Sequence, residues 1–369
     1  MRNARGARVA VLHRLLPRAL SGLVAFAALA LSFGSPVAKA QTPEPSAPAA
    51  TAAPAPETNV GDANGLAHPD MTTKFDGSIK NDDGTPKNAS APELSGGDTA
   101  WMLVSAALVL FMTPGLGLFY AGMTRSKNVL NVLMQSFVAM SIVTVLWVVI
   151  GYSLSFAPGS NDMLGGTDFA MLSKVGQTTF VWNGTAMAIP HQVFMAFQMM
   201  FAIITPALIT GATADRLKFS GYAVFIALWS MLVYSPVAHW VFSPTGWLFK
   251  RGALDFAGGT AIHINAGIAA LVVVALIGPR RGHPHHPMLP HSLPLTLIGT
   301  GILWFGWFGF NAGSALAANG QAAAALVNTG LAASAAMLGW LAVERITGGH
   351  ATTLGAASGA VAGLVAITR

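Results

Sequence analysis

Residues 99–123 read TAWMLVSAALVLFMTPGLGLFYAGM, a run without a single charged side chain. At about 1.5 Å per residue it is long enough to cross about 30 Å of hydrocarbon as an α-helix. It lacks the alternation of apolar and polar positions that a membrane barrel strand needs, so a helix is the structure that satisfies its backbone in lipid. Arg125 and Lys127 close the run, and a second apolar stretch follows at 129–156. Reading on, similar runs occupy 192–214, 219–241, 256–278, 292–316, 322–343 and 351–368. The expected fold is therefore an all-α polytopic membrane protein with about eight transmembrane helices.

Composition supports this reading. Hydrophobic residues make up 53% of the 369 and charged residues 9%, against roughly a quarter charged in ordinary globular domains. Too few charges exist to cover a water-facing surface, and the mean hydropathy of +0.57 agrees. Membrane lipid is the expected covering. The absence of cysteine removes disulfide, thiolate and zinc-ribbon chemistry from the candidate functions.

The net charge of +6 is local to the N-terminus. Arg2, Arg5, Arg8, Arg14, Arg18 and Lys39 lie within the first forty positions, where there is no acidic residue, so the remaining 14 basic residues balance all 14 acidic ones. A nucleic-acid partner loses its support. The same forty residues combine a basic start, an apolar run from Leu20 to Phe33 and Ala38-Lys39-Ala40, the arrangement of a secretory signal peptide cleaved after Ala40. Residues 41–97 are rich in Pro, Ala, Thr, Gly and Asp and poor in large apolar side chains, and read as a disordered extracytoplasmic tail. Residues 98–369 form the expected membrane domain. With the mature N-terminus outside, the gaps after odd spans carry Arg125, Lys127, Arg216, Lys218, Arg280, Arg281 and Arg345, and the even gaps only Lys174, Lys250 and Arg251. That asymmetry obeys the positive-inside rule and predicts a multi-pass protein of the cytoplasmic (inner) membrane.

Polar residues within apolar runs are costly and therefore informative. Asp255 opens the fifth run, where a carboxylate either caps helix N–H groups or acts on a cation at a pore entrance. His263 lies eight residues on, about 12 Å deeper in a regular helix, and is either a packed imidazole or a pore-lining one. Phe197, Phe201, Phe242 and the run Trp304-Phe305-Gly306-Trp307-Phe308-Gly309-Phe310 supply aromatic faces. Such faces pack cores and also attract compact cations. Asn311 and Ser314 add an amide and a hydroxyl beside the last ring. No catalytic constellation is visible, and Gly115-Leu116-Gly117 lies inside a span. The His283-Pro284-His285-His286 connector reads as solvated rather than metal-binding, so neither an enzyme, a metal nor a cofactor is expected.

These residues resemble the ammonium transporter family (the Amt/Mep/Rh group) from about Ala100 onward. The resemblance rests on Leu110-Phe111-Met112-Thr113-Pro114-Gly115 through Tyr120, on Arg125-Ser126-Lys127-Asn128-Val129-Leu130, on Asp255 through Asn265, and on Gly306 through Ala315. It implies a homotrimer in which each subunit has its own hydrophobic pore for ammonium or methylammonium, carried as ammonia with separate handling of the proton. Phe201 and Phe310 resemble the stacked phenylalanine gate, Phe197 its neighbour, Ser314 the hydroxyl that accepts from ammonium, and Asp255 the acidic residue beneath that outer site. His263 resembles the first of two pore histidines. A cytoplasmic PII-type signalling protein is a further implied partner. An ammonium sensor, or a channel for another small solute such as urea or water, is the alternative.

Three departures stand out. Phe242 occupies the place where the family has an outer-site Trp, with Trp247 as the alternative ring. Asp215 stands where Glu is usual in Gly211-Ala212-Thr213-Ala214-Asp215-Arg216. The family's eleven helices form two inverted five-helix repeats plus one, so the resemblance leaves the second repeat incomplete at Arg369 and the second histidine beyond it. The expectation from this is that the 369 residues alone do not conduct.

Overall fold

The computed structural model describes residues 92–159, 161–182 and 185–368. The expected signal peptide and residues 41–91 of the expected tail lie outside the described residues. Among the described residues, seven helices are long and apolar enough to cross a membrane: Gly96–Met123, Ser126–Phe156, His191–Thr213, Phe219–Lys250, Gly259–Ile277, Leu293–Gly313 and Gly320–Gly348. They are called the first to seventh spans below. A shorter apolar helix, Thr353–Ile367, follows. At about 1.5 Å per residue it reaches about 22 Å, less than the hydrocarbon thickness.

The first span begins at Gly96, just before the expected domain boundary, because Ser95 caps it: its Oγ accepts the Asp98 N–H at 3.2 Å. Three spans contain a widened π-helical turn, at Trp147–Gly151, Ser230–Tyr234 and Gly259–Ile264. Such turns leave the i→i−4 ladder locally and re-aim the side chains on them. The third of them carries His263. A short antiparallel hairpin, Phe180–Trp182 with Thr185–Met187, interrupts the otherwise helical structure between the second and third spans. Its register pairs Phe180 with Met187 and Val181 with Ala186.

The third span is the most enclosed, and the fifth and seventh present most of their length outward. Leu276 and Ile346 are 80% and 83% exposed, which only lipid or another subunit would make favourable. Inside, Trp147, Tyr152, Phe156, Phe194 and Tyr234 are fully buried and interlock, with Trp147 5.8 Å from Tyr152 and 6.2 Å from Tyr234 between ring centroids. The first and sixth spans touch backbone to backbone. A Cβ at Gly299 would lie 2.3 Å from the Phe119 nitrogen and 2.6 Å from the Gly115 oxygen, and one at Gly306 2.7 Å from the Leu108 oxygen. Small residues allow this approach, which in lipid gains packing and not hydrophobic burial. The approach fixes where the C-terminal end of the sixth span, with Phe310, lies relative to the first.

Candidate functional site

Phe197 and Phe201 stand one turn apart on the third span, so both project from the same face. Their rings meet edge-on, 4.8 Å between centroids at 70°. Phe201 in turn lies 4.5 Å from Phe310 of the sixth span, at 54°. The rings touch but are tilted, not stacked as the family resemblance implies. Phe310 continues the series to Trp307 at 5.2 Å and to His263 at 5.7 Å, and the imidazole lies nearly parallel to the Trp307 indole at 5.4 Å and 15°. The three phenylalanines are almost completely buried.

His263 owes its position to the turn before it. Gly258 adopts φ 105°, a left-handed conformation available to glycine at little cost, and the chain then enters the π turn Gly259–Ile264. Asp255 holds this start: its carboxylate accepts the N–H groups of Gly258 at 2.7 Å, Thr260 at 3.0 Å and Ala261 at 2.9 Å. Of the two roles open in the sequence, the geometry shows the cap. Asp255 is 7% exposed, and burial pushes its pKa above the ordinary value, while the bonded N–H groups of Ala261, Gly258 and Thr260, with the nearby Gly259 N–H, pull it back. Asp255 and His263 also line one cavity of about 400 Å³ together with Thr260, Ile264, Val365 and Thr368. The His263 Nε2 atom is buried and has no hydrogen-bond partner.

A sequence model of the Ammonium Transporter Family matches residues 100–369. The chain belongs to that family. It is 54% identical over 293 residues to an ammonium transporter of Mycobacterium tuberculosis, an overlap of 74% of this chain and 61% of the relative. The chain thus spans about three-fifths of the length of that curated relative. Among solved structures, Candida albicans Mep2 superposes with a TM-score of 0.69 at 36% identity, covering 75% of this chain and 61% of Mep2. A structure described as a sensor Amt protein superposes with a TM-score of 0.67 at 29% identity, covering 74% and 68%.

In this member of the ammonium transporter family, Ser314 follows directly on the sixth span. Its hydroxyl donates to the Phe310 carbonyl at 2.8 Å, which leaves the oxygen lone pairs as acceptors. Phe242 ends the helix Ser235–Phe242 and is half-buried against the core. After it, Ser243 and Thr245 pair their hydroxyls at 2.9 Å and the chain turns into the helical turn Trp247–Lys250. The Trp247 indole is already engaged, with the Arg251 guanidinium 5.0 Å above its ring and Trp240 at 5.9 Å. At the other end of the molecule, Asp215 adopts φ 63° and pairs with Arg125 at 2.9 Å, its side chain fully buried. The shorter acid therefore still completes an ion pair.

Asn311, a candidate polar group in the sequence, serves packing here. Its Nδ2 donates to Thr329 Oγ1 at 3.0 Å and its Oδ1 lies 3.1 Å from Thr368 Oγ1. Thr368 also accepts the Trp307 indole N–H at 2.8 Å. This network fixes the ring on which His263 rests, and Thr368 carries no local sequence signal of that role. Among the described residues no cluster of His, Asp or Glu has the make-up of a metal site.

Proposed function

We propose that these spans contribute the recognition and gate portion of a path that conducts ammonium or ammonia across the cytoplasmic membrane, with a compact cation recognised at the outer end of the ring series and desolvated along it. The observation that carries the reading is the His263 Nε2 atom, buried and unpartnered beside two aromatic faces in the cavity it shares with Asp255. An unpaired imidazole nitrogen in an apolar setting is costly unless a ligand completes it. In this reading Phe201 and Phe310 form the gate, Phe197 flanks it, and Phe242 and the Ser314 oxygen contact the cation. Asp255 supports the site by ordering the turn below it. The mature N-terminus lies outside, the assembly is a homotrimer, and a PII-type protein is the cytoplasmic partner. The relative named an ammonium transporter supports the substrate class.

The test is uptake of labelled methylammonium by cells that lack their own ammonium transporters and express the protein from its native gene. Saturable uptake, competed by ammonium and not by urea and lost in His263→Asp, is the expected result. Uptake no greater than in cells with empty vector would overturn the reading. The likeness to a sensor Amt protein favours a second reading, signalling to a cytoplasmic partner. A transport-dead variant that still relays the ammonium signal would select it.

Phe242→Trp is expected to lower the half-saturating methylammonium concentration by up to about fivefold, since the larger indole face binds a cation more strongly by about 1 kcal/mol. Its motive is the family's Trp at this position together with the occupied face of Trp247, which leaves Phe242, half-buried against the core, as the other candidate ring. Equal half-saturation in parent and variant would move recognition away from position 242.

A further inference from the structure

Ser314 is the last residue its own helix holds, with its hydroxyl on the Phe310 carbonyl at 2.8 Å and its N–H on the Asn311 carbonyl at 3.2 Å, and the turn that follows it is fastened from elsewhere. The sixth span ends at Gly313, and Leu316 takes φ 57°, a left-handed conformation outside any regular helix. Two side chains from the start of the first span fasten the turn from outside. The Trp101 indole N–H donates to the Ala312 carbonyl at 3.3 Å, just before Ser314, and the Asp98 carboxylate accepts the Ala318 N–H at 2.7 Å, just after it. A bond to a carboxylate is charge-assisted and stronger than a neutral one. Trp101 also packs against buried Ala312, Ala315 and Ala322.

Asp98 is itself tied to the opposite wall. Its N–H is capped by Ser95, and the Ser95 N–H donates at 2.9 Å to the Ala188 carbonyl, three residues before the third span that bears Phe197 and Phe201. One helix start therefore holds both the turn that follows the hydroxyl and the entry to the ring-bearing span. In the sequence Asp98 marked only a boundary.

We propose that Asp98, aided by Trp101, is a positioning residue for cation recognition, setting the Ser314 oxygen against the Phe201–Phe310 pair. The inference rests on the reading of Ser314 given above. In methylammonium uptake by the full protein, Asp98→Ala is expected to raise the half-saturating concentration about tenfold, the effect of one lost charge-assisted bond, with the maximal rate per membrane protein held within about twofold. Asp98→Asn keeps an acceptor in place and is expected to stay within about threefold of the parent. In a Ser314→Ala background the Asp98→Ala change is expected to add little, because no hydroxyl remains to be misplaced.

An unchanged half-saturation in Asp98→Ala, or a fall in maximal rate alone, overturns the proposal. So does an undiminished Asp98 effect in the Ser314→Ala background, which would mean that the charge acts by itself. An unchanged half-saturation in Ser314→Ala alone is a different failure, that of the Ser314 reading. If Asp98→Ala does not reach the membrane, Trp101→Phe carries the same test. It removes one N–H and keeps the ring, and it must raise the half-saturation without lowering the maximal rate, or the proposal falls.

Discussion

Gly299→Val is expected to destabilise the folded protein by at least about 2 kcal/mol, as overpacking at a tight contact does, and to abolish uptake with it. A Cβ at position 299 would meet the Phe119 nitrogen at 2.3 Å, the Gly115 oxygen at 2.6 Å and the Phe119 Cα at 2.7 Å. All three are backbone atoms, so no rotamer change relieves the overlap and the two spans must separate. Separation would displace the sixth span, and with it Phe310 from Phe201 and Ser314 from its tethers. Gly301→Val is the control on the same helix, because a Cβ there meets nothing within 4 Å. Thermal unfolding of the purified protein in detergent, followed by size-exclusion chromatography, measures the difference. Equal unfolding temperatures for the two valine variants would show that the crossing is not the constraint described.

The spans were legible in the sequence because each is a long apolar run whose ends carry the charged residues; seven of the eight expected are found, the fourth running nine residues further, to Lys250, while the eighth run forms only the short helix Thr353–Ile367. The π turns were not, since no local rule distinguishes Gly259–Ile264 from ordinary helix. The hairpin at Phe180–Met187 was missed for a related reason: its strands are three residues each, too short for a period-two pattern to register. At the site, residues that act through near neighbours were readable from their types and spacing, as with Asp255 and the N–H groups just after it. Contacts between distant segments were not. That Phe201 touches Phe310 was implied by family resemblance alone. The tethers from Asp98 to Ala318 and from Trp307 to Thr368 join segments 220 and 61 residues apart, and only the packing of the helices brings them together.

Asp255→Ala is expected to remove both folded yield and uptake, whereas Asp255→Asn retains most of the yield, with uptake following it. The carboxylate accepts three backbone N–H groups at the entry to the fifth span, and alanine would leave them without an acceptor. Leaving buried donors unsatisfied costs about 1–3 kcal/mol each, reduced where water from the adjoining cavity reaches them. The left-handed Gly258 would lose its anchor, and the π turn that aims His263 toward Trp307 and Phe310 would lose its first bonds. Asparagine preserves one carbonyl acceptor but turns a donor toward the remaining N–H groups, so a lowered unfolding temperature is expected even where the fold survives. The pH dependence supplies an independent reading. Burial raises the folded-state pKa of Asp255 above its ordinary value of 3.8, so between those two values the folded protein binds the proton more tightly than the unfolded chain. Asp255 therefore makes stability fall as pH rises through that window and adds no slope above it, a component that Asp255→Asn lacks. An alanine variant that unfolds like the parent would remove the cap from the account. An asparagine variant that reaches the membrane at parent level yet carries no methylammonium would show that transport needs the negative charge itself.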